Sequence, residues 1–204
     1  MHTKLTYLLD ANTLIDANRD YYPFRRVPEF WAWLSHQGTV GNIKIPIEIY
    51  EEFEDAKRKD GSRDKLAEWA ACPDVKAALL FSEEADPELV TTVTIEGYGE
   101  NLSDTEIETI GRDPFLISYA SMDEKNRTIV TTEVSRPSKK GANRKIPDVC
   151  HDLNIRCIHN FQLLNELDFR TSWRERAACS RRAYHADRSP FAPSQSVTDK
   201  RGLT

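Results

Sequence analysis

Four short apolar stretches each carry a carboxylate where chemistry could be done. The run "YLLDANTLI" (7–15) breaks on Asp10, "IPIEIYEEF" (45–53) holds Glu52, "DPFLISYA" (113–120) opens on Asp113, and "IVTTE" (129–133) closes on Glu133. Taken singly, each acid has an ordinary reading: an Asp after a strand or before Pro114 is a good cap for the following helix. Taken together they conflict. Four carboxylates around the same strand ends, with no basic residue inside these stretches, would repel one another and raise their pKa values. A divalent cation resolves that conflict, and oxygen donors without His or Cys favour Mg²⁺ or Mn²⁺ with waters completing the octahedron. Asn12 and Thr131 lie on the same turns and could hold a water or orient a carboxylate, while Asp148, in "IPDVC", is a further acid near the site.

The elements that position these acids read as an alternation of strands and helices. "KLTYLL" (4–9) reads as a strand, "VPEFWAWLSHQG" (27–38) as a helix closed by Gly38, and "IKIP" (43–46) as a short strand. A long amphipathic helix follows from Ile47 to about Lys59, then a helical stretch over 62–85 broken near Pro73. "LVTTVTI" (89–95) is β-branched and reads as a strand or edge ribbon. "SDTEIETIGR" (103–112) opens with a capping box of Ser103 and Glu106, and a helix over 113–126 has Pro114 at its start. The remaining elements are a strand at 127–132, a helix at 147–154, a strand at 155–159 and a helix at 161–167. The alternation implies an α/β fold, three-layered around a mostly parallel sheet. In such a sheet ligands bind outside the carboxyl ends of the strands, where Asp10 and Glu133 fall. On the helix after "IKIP", Ile49, Phe53 and Ala56 define the buried stripe, and Glu52 alone of its acids borders that stripe and faces inward. It would be there as a metal ligand, a buried ion-pair partner or a rim residue.

Composition narrows the class. The chain has 204 residues, 39% hydrophobic and 30% charged, enough for one α/β domain with a real core. Residues 168–204 hold 8 basic and 4 acidic residues; the first 167 hold 20 basic and 29 acidic, net −9. An acidic body over 1–167 therefore carries a basic tail over 168–204, partly helical and then losing apolar periodicity after about Ala183. Four cysteines without a C-x-x-C pair fit a reducing cytoplasm, and no signal peptide or membrane span is expected. Cys150, His151, Cys157 and His159 fall on a helix and a strand, where cysteines are mostly buried hydrophobes rather than zinc ligands.

The four motifs, in order and spacing, resemble those of the PIN-domain nucleases over residues 5–160, and are closest to a bacterial and archaeal PIN-like branch of unassigned function. The resemblance implies a Rossmann-like α/β/α fold with Asp10, Glu52, Asp113 and Glu133 as the acidic metal-binding set. It also implies a Mg²⁺- or Mn²⁺-dependent endoribonuclease, many of whose relatives are toxins of the VapC kind restrained by an antitoxin protein and often dimeric. Glu133 departs from the Asp common at the fourth position and reaches one carbon further. For an RNA substrate, Arg136, Lys139, Lys140, Arg144 and Lys145 in "SRPSKKGANRK" supply cations beside the site. "NRDYYPFRR" (18–26) mixes Tyr21, Tyr22 and Phe24 with Arg19, Arg25 and Arg26, a composition suited either to stacking on single-stranded RNA or to core packing. A PIN-like module that binds RNA or a partner without cleaving is the alternative.

Overall fold

The computed structural model describes residues 4–54 and 63–175. Two of its strands are buried on both faces from their second residue onward: β1 (Thr6–Leu9) and β3 (Arg127–Thr131). Continuous apolar burial without alternation is the mark of a central parallel strand covered by helices on both sides. With β2 (Ile43–Lys44) and β4 (Cys157–His159) they form a four-stranded sheet, all parallel, in the order β2-β1-β3-β4. The chain steps from β1 to β2 in one direction, then crosses back over β1 to β3 and on to β4. Right-handed crossovers therefore place the β1–β2 helices on one face and the helices leading directly into β3 and β4 on the other, while residues 73–79 and 160–166 pack with the first group. The result is the three-layer, Rossmann-like α/β arrangement. Its topological switch point lies between the carboxyl ends of β1 and β3, where Asp10 N–H still bonds Val130 O at 2.9 Å.

On the first face, α1 (Ala11–Asp16) continues into a π-helical turn (Ala17–Tyr21) and α2 (Pro28–Thr39). Leu9, Leu14, Phe30 and Leu34 pack there with Leu163 of α10 (Asn160–Glu166). Gly38 lies inside α2 rather than ending it; the turn comes at Gly41, whose φ is +76°. Gly38 is there for close approach. A Cβ at this position would stand 2.6 Å from Leu79 Cδ2 and 2.8 Å from Ala78 O. Gly38→Ala is thus expected to destabilise the fold by about 1–3 kcal/mol in a urea titration; an unchanged midpoint would mean the helices can part freely.

Following β2 come α3 (Ile47–Glu54), α4 (Lys65–Ala70) and α5 (Pro73–Leu79); the rest of the helix expected to Lys59 lies outside the described residues. After α5 the chain bridges Ile45 through Leu80 and extends the β2 edge. The segment 89–95, read as a strand, is instead part of α6 (Pro87–Gly97). Asp86 caps it through Glu88 N–H and Leu89 N–H, and Pro87 fits the first turn. Within the helix the hydroxyls of Thr91, Thr92 and Thr94 donate to the carbonyls four residues back. Local β propensity yields here to the cap and to packing against α8 (Asp113–Ser121) and α9 (Ile146–Asp152). Before α8, α7 (Asp104–Ile110) shows the capping box of Ser103 and Glu106 in full.

The described residues up to Thr171 form one compact unit. It extends past the expected boundary at 167 because Phe169 packs against Tyr22, Phe30 and Trp33. Residues 176–204, most of the basic tail, lie outside the described residues. No helix among the described residues is long and apolar enough to cross a membrane.

Candidate functional site

Asp10 sits where β1 ends and α1 begins, 4% exposed. It does not cap the helix: its side chain makes no capping hydrogen bond, although the Asn12 N–H and side chain lie close enough to favour the ionised form. Instead Oδ2 accepts from Thr131 Oγ1 at 2.8 Å, across the gap between β1 and β3. Burial outweighs these donors, and with the Glu133 charge behind it the Asp10 pKa is pushed up to about 6. Thr131 also accepts from Glu133 N–H at 3.1 Å, so one hydroxyl orders both strand ends. Thr131→Val keeps the shape and removes the hydroxyl; an expected loss of about 1–3 kcal/mol follows from leaving a buried acceptor unpaired. Unchanged unfolding would show that another donor takes its place.

Asp113 likewise does not cap. Arg112 holds the cap position and Asp113 is the first residue of α8. Its carboxyl turns inward to Tyr98, whose hydroxyl donates to Oδ2 at 3.3 Å. Burial, then the charges of Asp10 and Glu133, then that of Glu52, push its pKa up to about 8 against the Tyr98 hydrogen bond. Asp113 therefore senses all three other acids. Tyr98, buried in the segment "GYGEN" and titrating well above its ordinary value, is a site residue that the sequence did not flag. An aromatic between two glycines was its only signal.

Glu52 departs from its expected place. It is exposed on α3, while Ile49, Tyr50 and Phe53 take the interior. Its carboxyl end is nonetheless crowded: desolvation first, then Asp10, push its pKa up to about 6, with Arg112 pulling the other way. Glu48, expected to face outward, instead has Oε2 buried, near enough to Tyr119 to raise that hydroxyl's pKa. Arg112 is the second residue missed. Its Nη1 donates to Glu48 O at 2.5 Å and Glu51 Oε2 at 2.6 Å, tying α3 to the start of α8 and so Glu52 to Asp113.

Glu133 is already engaged. Oε1 meets Lys145 Nζ at 2.5 Å and Oε2 accepts from Ile146 N–H at 2.9 Å. The four acids are thus not without compensating cations: Arg112 and Lys145 arrive from beyond the motif stretches. Among the described residues no three His, Cys, Asp or Glu side chains are gathered as a ready metal cluster.

The segment 134–145 divides by role. Asp148, 8% exposed, accepts from the Ser135 hydroxyl and from Arg136 N–H at 2.7 Å, anchoring its start. Gly141 turns it at φ +54° into a 3₁₀ turn (Gly141–Asn143) with Ala142 buried. Arg144 is spent on Gly97 O at 2.6 Å, Asp148 O at 3.1 Å and Asp152. With Lys145 on Glu133, two of the five expected phosphate-binding cations are structural. Arg136, Lys139 and Lys140 are exposed and form no ion pair among the described residues. Arg136 and Lys139 line a cleft of about 390 Å³ together with Asn12, Ile110, Asp113 and Glu133, which places cations and acids on one surface. A larger cleft, about 760 Å³, lies along the other side of the same segment against Tyr98, Asp148 and His151, and none of the four motif acids lines it.

No curated protein and no solved structure matches the chain. A family profile covers residues 7–171, from β1 through the last residue of the compact unit, and so includes all four acids. The chain belongs to the family described as a domain of unknown function, DUF4411.

Proposed function

We propose that this protein is a Mg²⁺- or Mn²⁺-dependent endoribonuclease that hydrolyses RNA phosphodiester bonds at Asp10, Glu52, Asp113 and Glu133, in the manner of the PIN-domain nucleases its motifs resemble. The observation that carries the reading is the convergence on Asp113: a partly buried carboxyl whose pKa is pushed up to about 8 first by desolvation and then by the charges of Asp10, Glu133 and Glu52. A protein keeps such repulsion only where an opposite charge relieves it, and perturbed groups in a cleft mark functional sites.

The donor set fits a hard cation. Mg²⁺ retains several waters and needs only one or two direct carboxylates, fewer than a closed protein cage. Asp10 and Asp113, the two most desolvated acids, are the candidates for direct contact; Glu52 reaches in from the rim. Glu133, with both oxygens bound, orders Lys145 and the strand end and acts on the others through its charge. Such a cation, when bound, supplies Lewis acidity toward the phosphoryl oxygens and lowers the pKa of water. The chain's own part is to hold the strand. Thr131 fixes the Asp10 rotamer, Arg112 fixes the α3 rim, and Arg136 with Lys139 neutralises phosphates at the cleft mouth.

The test is cleavage of labelled single-stranded RNA with Mg²⁺ or Mn²⁺ and with EDTA, by wild type and Asp10→Asn. Metal-dependent cleavage absent from the variant supports the reading, and cleavage that survives both EDTA and the substitution overturns it. The Lys145–Glu133 pair favours a second reading, an RNA- or protein-binding module that cleaves nothing, which predicts RNA binding with no turnover under either metal. A toxin role, an antitoxin partner, a cytoplasmic location and a homodimer belong to the proposal through the motif resemblance and the cysteine pattern.

A further inference from the structure

A third groove, of about 470 Å³, is lined by Arg19, Phe24, Arg25, Arg26 and Lys65. It concentrates positive charge on a body whose first 167 residues carry net −9. Two of the cations are already shared, Arg19 between Asp16 and Asp20 at 2.7 Å each, and Lys65 with Glu68. Arg25 and Arg26 are different. Both are exposed, adjacent in sequence, and have no carboxylate partner among the described residues.

The turn that presents them is built rather than loose. Arg26 N–H and Val27 N–H both bond Pro23 O, at 2.8 and 3.0 Å. Phe24 stacks on the buried Trp31 with centroids 3.9 Å apart and planes at 16°, and Trp31 Nε1 donates to Tyr22 O at 2.7 Å. The core-packing reading of these aromatics therefore holds for Tyr22, which stacks on Phe30, while Phe24 packs on one side and lines the groove on another. A rigid aromatic beside two guanidinium groups with no carboxylate partner among the described residues combines a platform for a base with donors for phosphates.

Hydrogen bonds through Asp16 link the groove to the strand end that carries Glu133. Thr132, the residue before Glu133, donates to Asp16 Oδ2 at 2.6 Å, and Asp16 Oδ1 accepts from Arg19 Nη2 at 2.7 Å. Along the other route, α1 rises only about 9 Å from Asp10 to Asp16.

We propose that this groove is a binding subsite for single-stranded RNA, with Arg25 and Arg26 on consecutive phosphates and Phe24 against a base, for a strand that continues to the cleft lined by Asp113 and Glu133. The subsite rests on the nuclease reading only for that continuation. Two cations at fixed places on a rigid turn contribute a salt-dependent, sequence-independent term to binding, through counterion release.

The experiment is titration of fluorescent single-stranded RNA with wild type and with Arg25→Ala/Arg26→Ala, in EDTA, over a range of KCl. Both side chains are exposed, so the double variant is expected to keep the wild-type circular dichroism and melting temperature. The expected result is about tenfold weaker binding at low salt and a log K against log salt slope shallower by about 1.4, two contacts at about 0.7 each for a single strand. Equal affinity and slope for the two proteins overturn the subsite, as does a wild type that binds no single-stranded RNA. Phe24→Leu preserves an apolar contact with Trp31 and is expected to weaken binding without changing the slope; unchanged affinity overturns the base contact. A parallel arm with Mn²⁺ compares a dinucleotide, too short to span both sites, with a long strand. Loss confined to the long strand in the double variant supports the subsite, and equal loss on both overturns it. Binding that behaves as described without any cleavage would remove the nuclease reading and leave the subsite standing.

Discussion

Asp10→Asn is expected to lower metal-dependent cleavage of single-stranded RNA by about three orders of magnitude, equivalent to about 4 kcal/mol of transition-state stabilisation. The substitution is nearly isosteric. The Asn oxygen can still accept from Thr131 Oγ1, so the bond that spans β1 and β3 survives and the fold should too. What is lost is the negative charge at the switch point of the sheet, the charge a divalent cation would bind first because it is the most buried of the set. Initial rates under saturating Mn²⁺, with circular dichroism as the folding control, make the comparison. A variant within threefold of wild type would sink the assignment of Asp10, and with it the proposed centre.

The second large effect is on stability, and its sign runs against the usual cost of a core substitution. The carboxyl of Asp113 has a pKa pushed up to about 8 in the folded protein, from an ordinary 3.8. Between these values the folded state holds a proton that the unfolded chain releases, so this group's contribution falls as pH rises from about 4 to about 8 and then levels off. Asp113→Asn removes the titration. The metal-free variant is expected to exceed wild type by about 2 kcal/mol at pH 8, roughly 4–8 °C in melting temperature for a unit of this size, with little difference at pH 4. Adding Mn²⁺ should reverse the order, raising wild type and leaving the variant where it was. Asp113 is raised by the charge of Asp10, which is itself raised, so the midpoint belongs to the interacting acids rather than to Asp113 alone. Equal pH profiles for the two proteins, or an equal response to Mn²⁺, would show that the mutual repulsion is not stored in the fold.

These two expectations draw on different levels of the molecule. The placement of Asp10, Asp113 and Glu133 at the ends and starts of periodic segments was legible, because strand burial, the Pro114 helix start and the Ser103 capping box are all decided within a few residues. The same local reading failed at 89–95. There β-branched residues outvoted the Asp86–Pro87 start signal, and only packing against α8 and α9, with Gly97 set tightly on Val149, makes the segment helical. It failed again at the basic segment. Arg144 and Lys145 look like phosphate ligands beside Lys139 and Lys140, yet carbonyls of Gly97 and Asp148 and the carboxylate of Glu133 had prior claim on them.

The sequence by itself determined the α/β alternation, the all-important strand ends and the four acids, since each follows from period, cap and residue type over short windows. The tertiary structure decided which groups those acids meet. Thr131 reaches Asp10 across 121 positions, Arg112 reaches Glu48 across 64, and Lys145 reaches Glu133 across 12. A pKa near 8 at Asp113 and a rim position for Glu52 are properties of that convergence, because desolvation and Coulomb interaction depend on distance in space, which the spacing of residues along a chain does not contain.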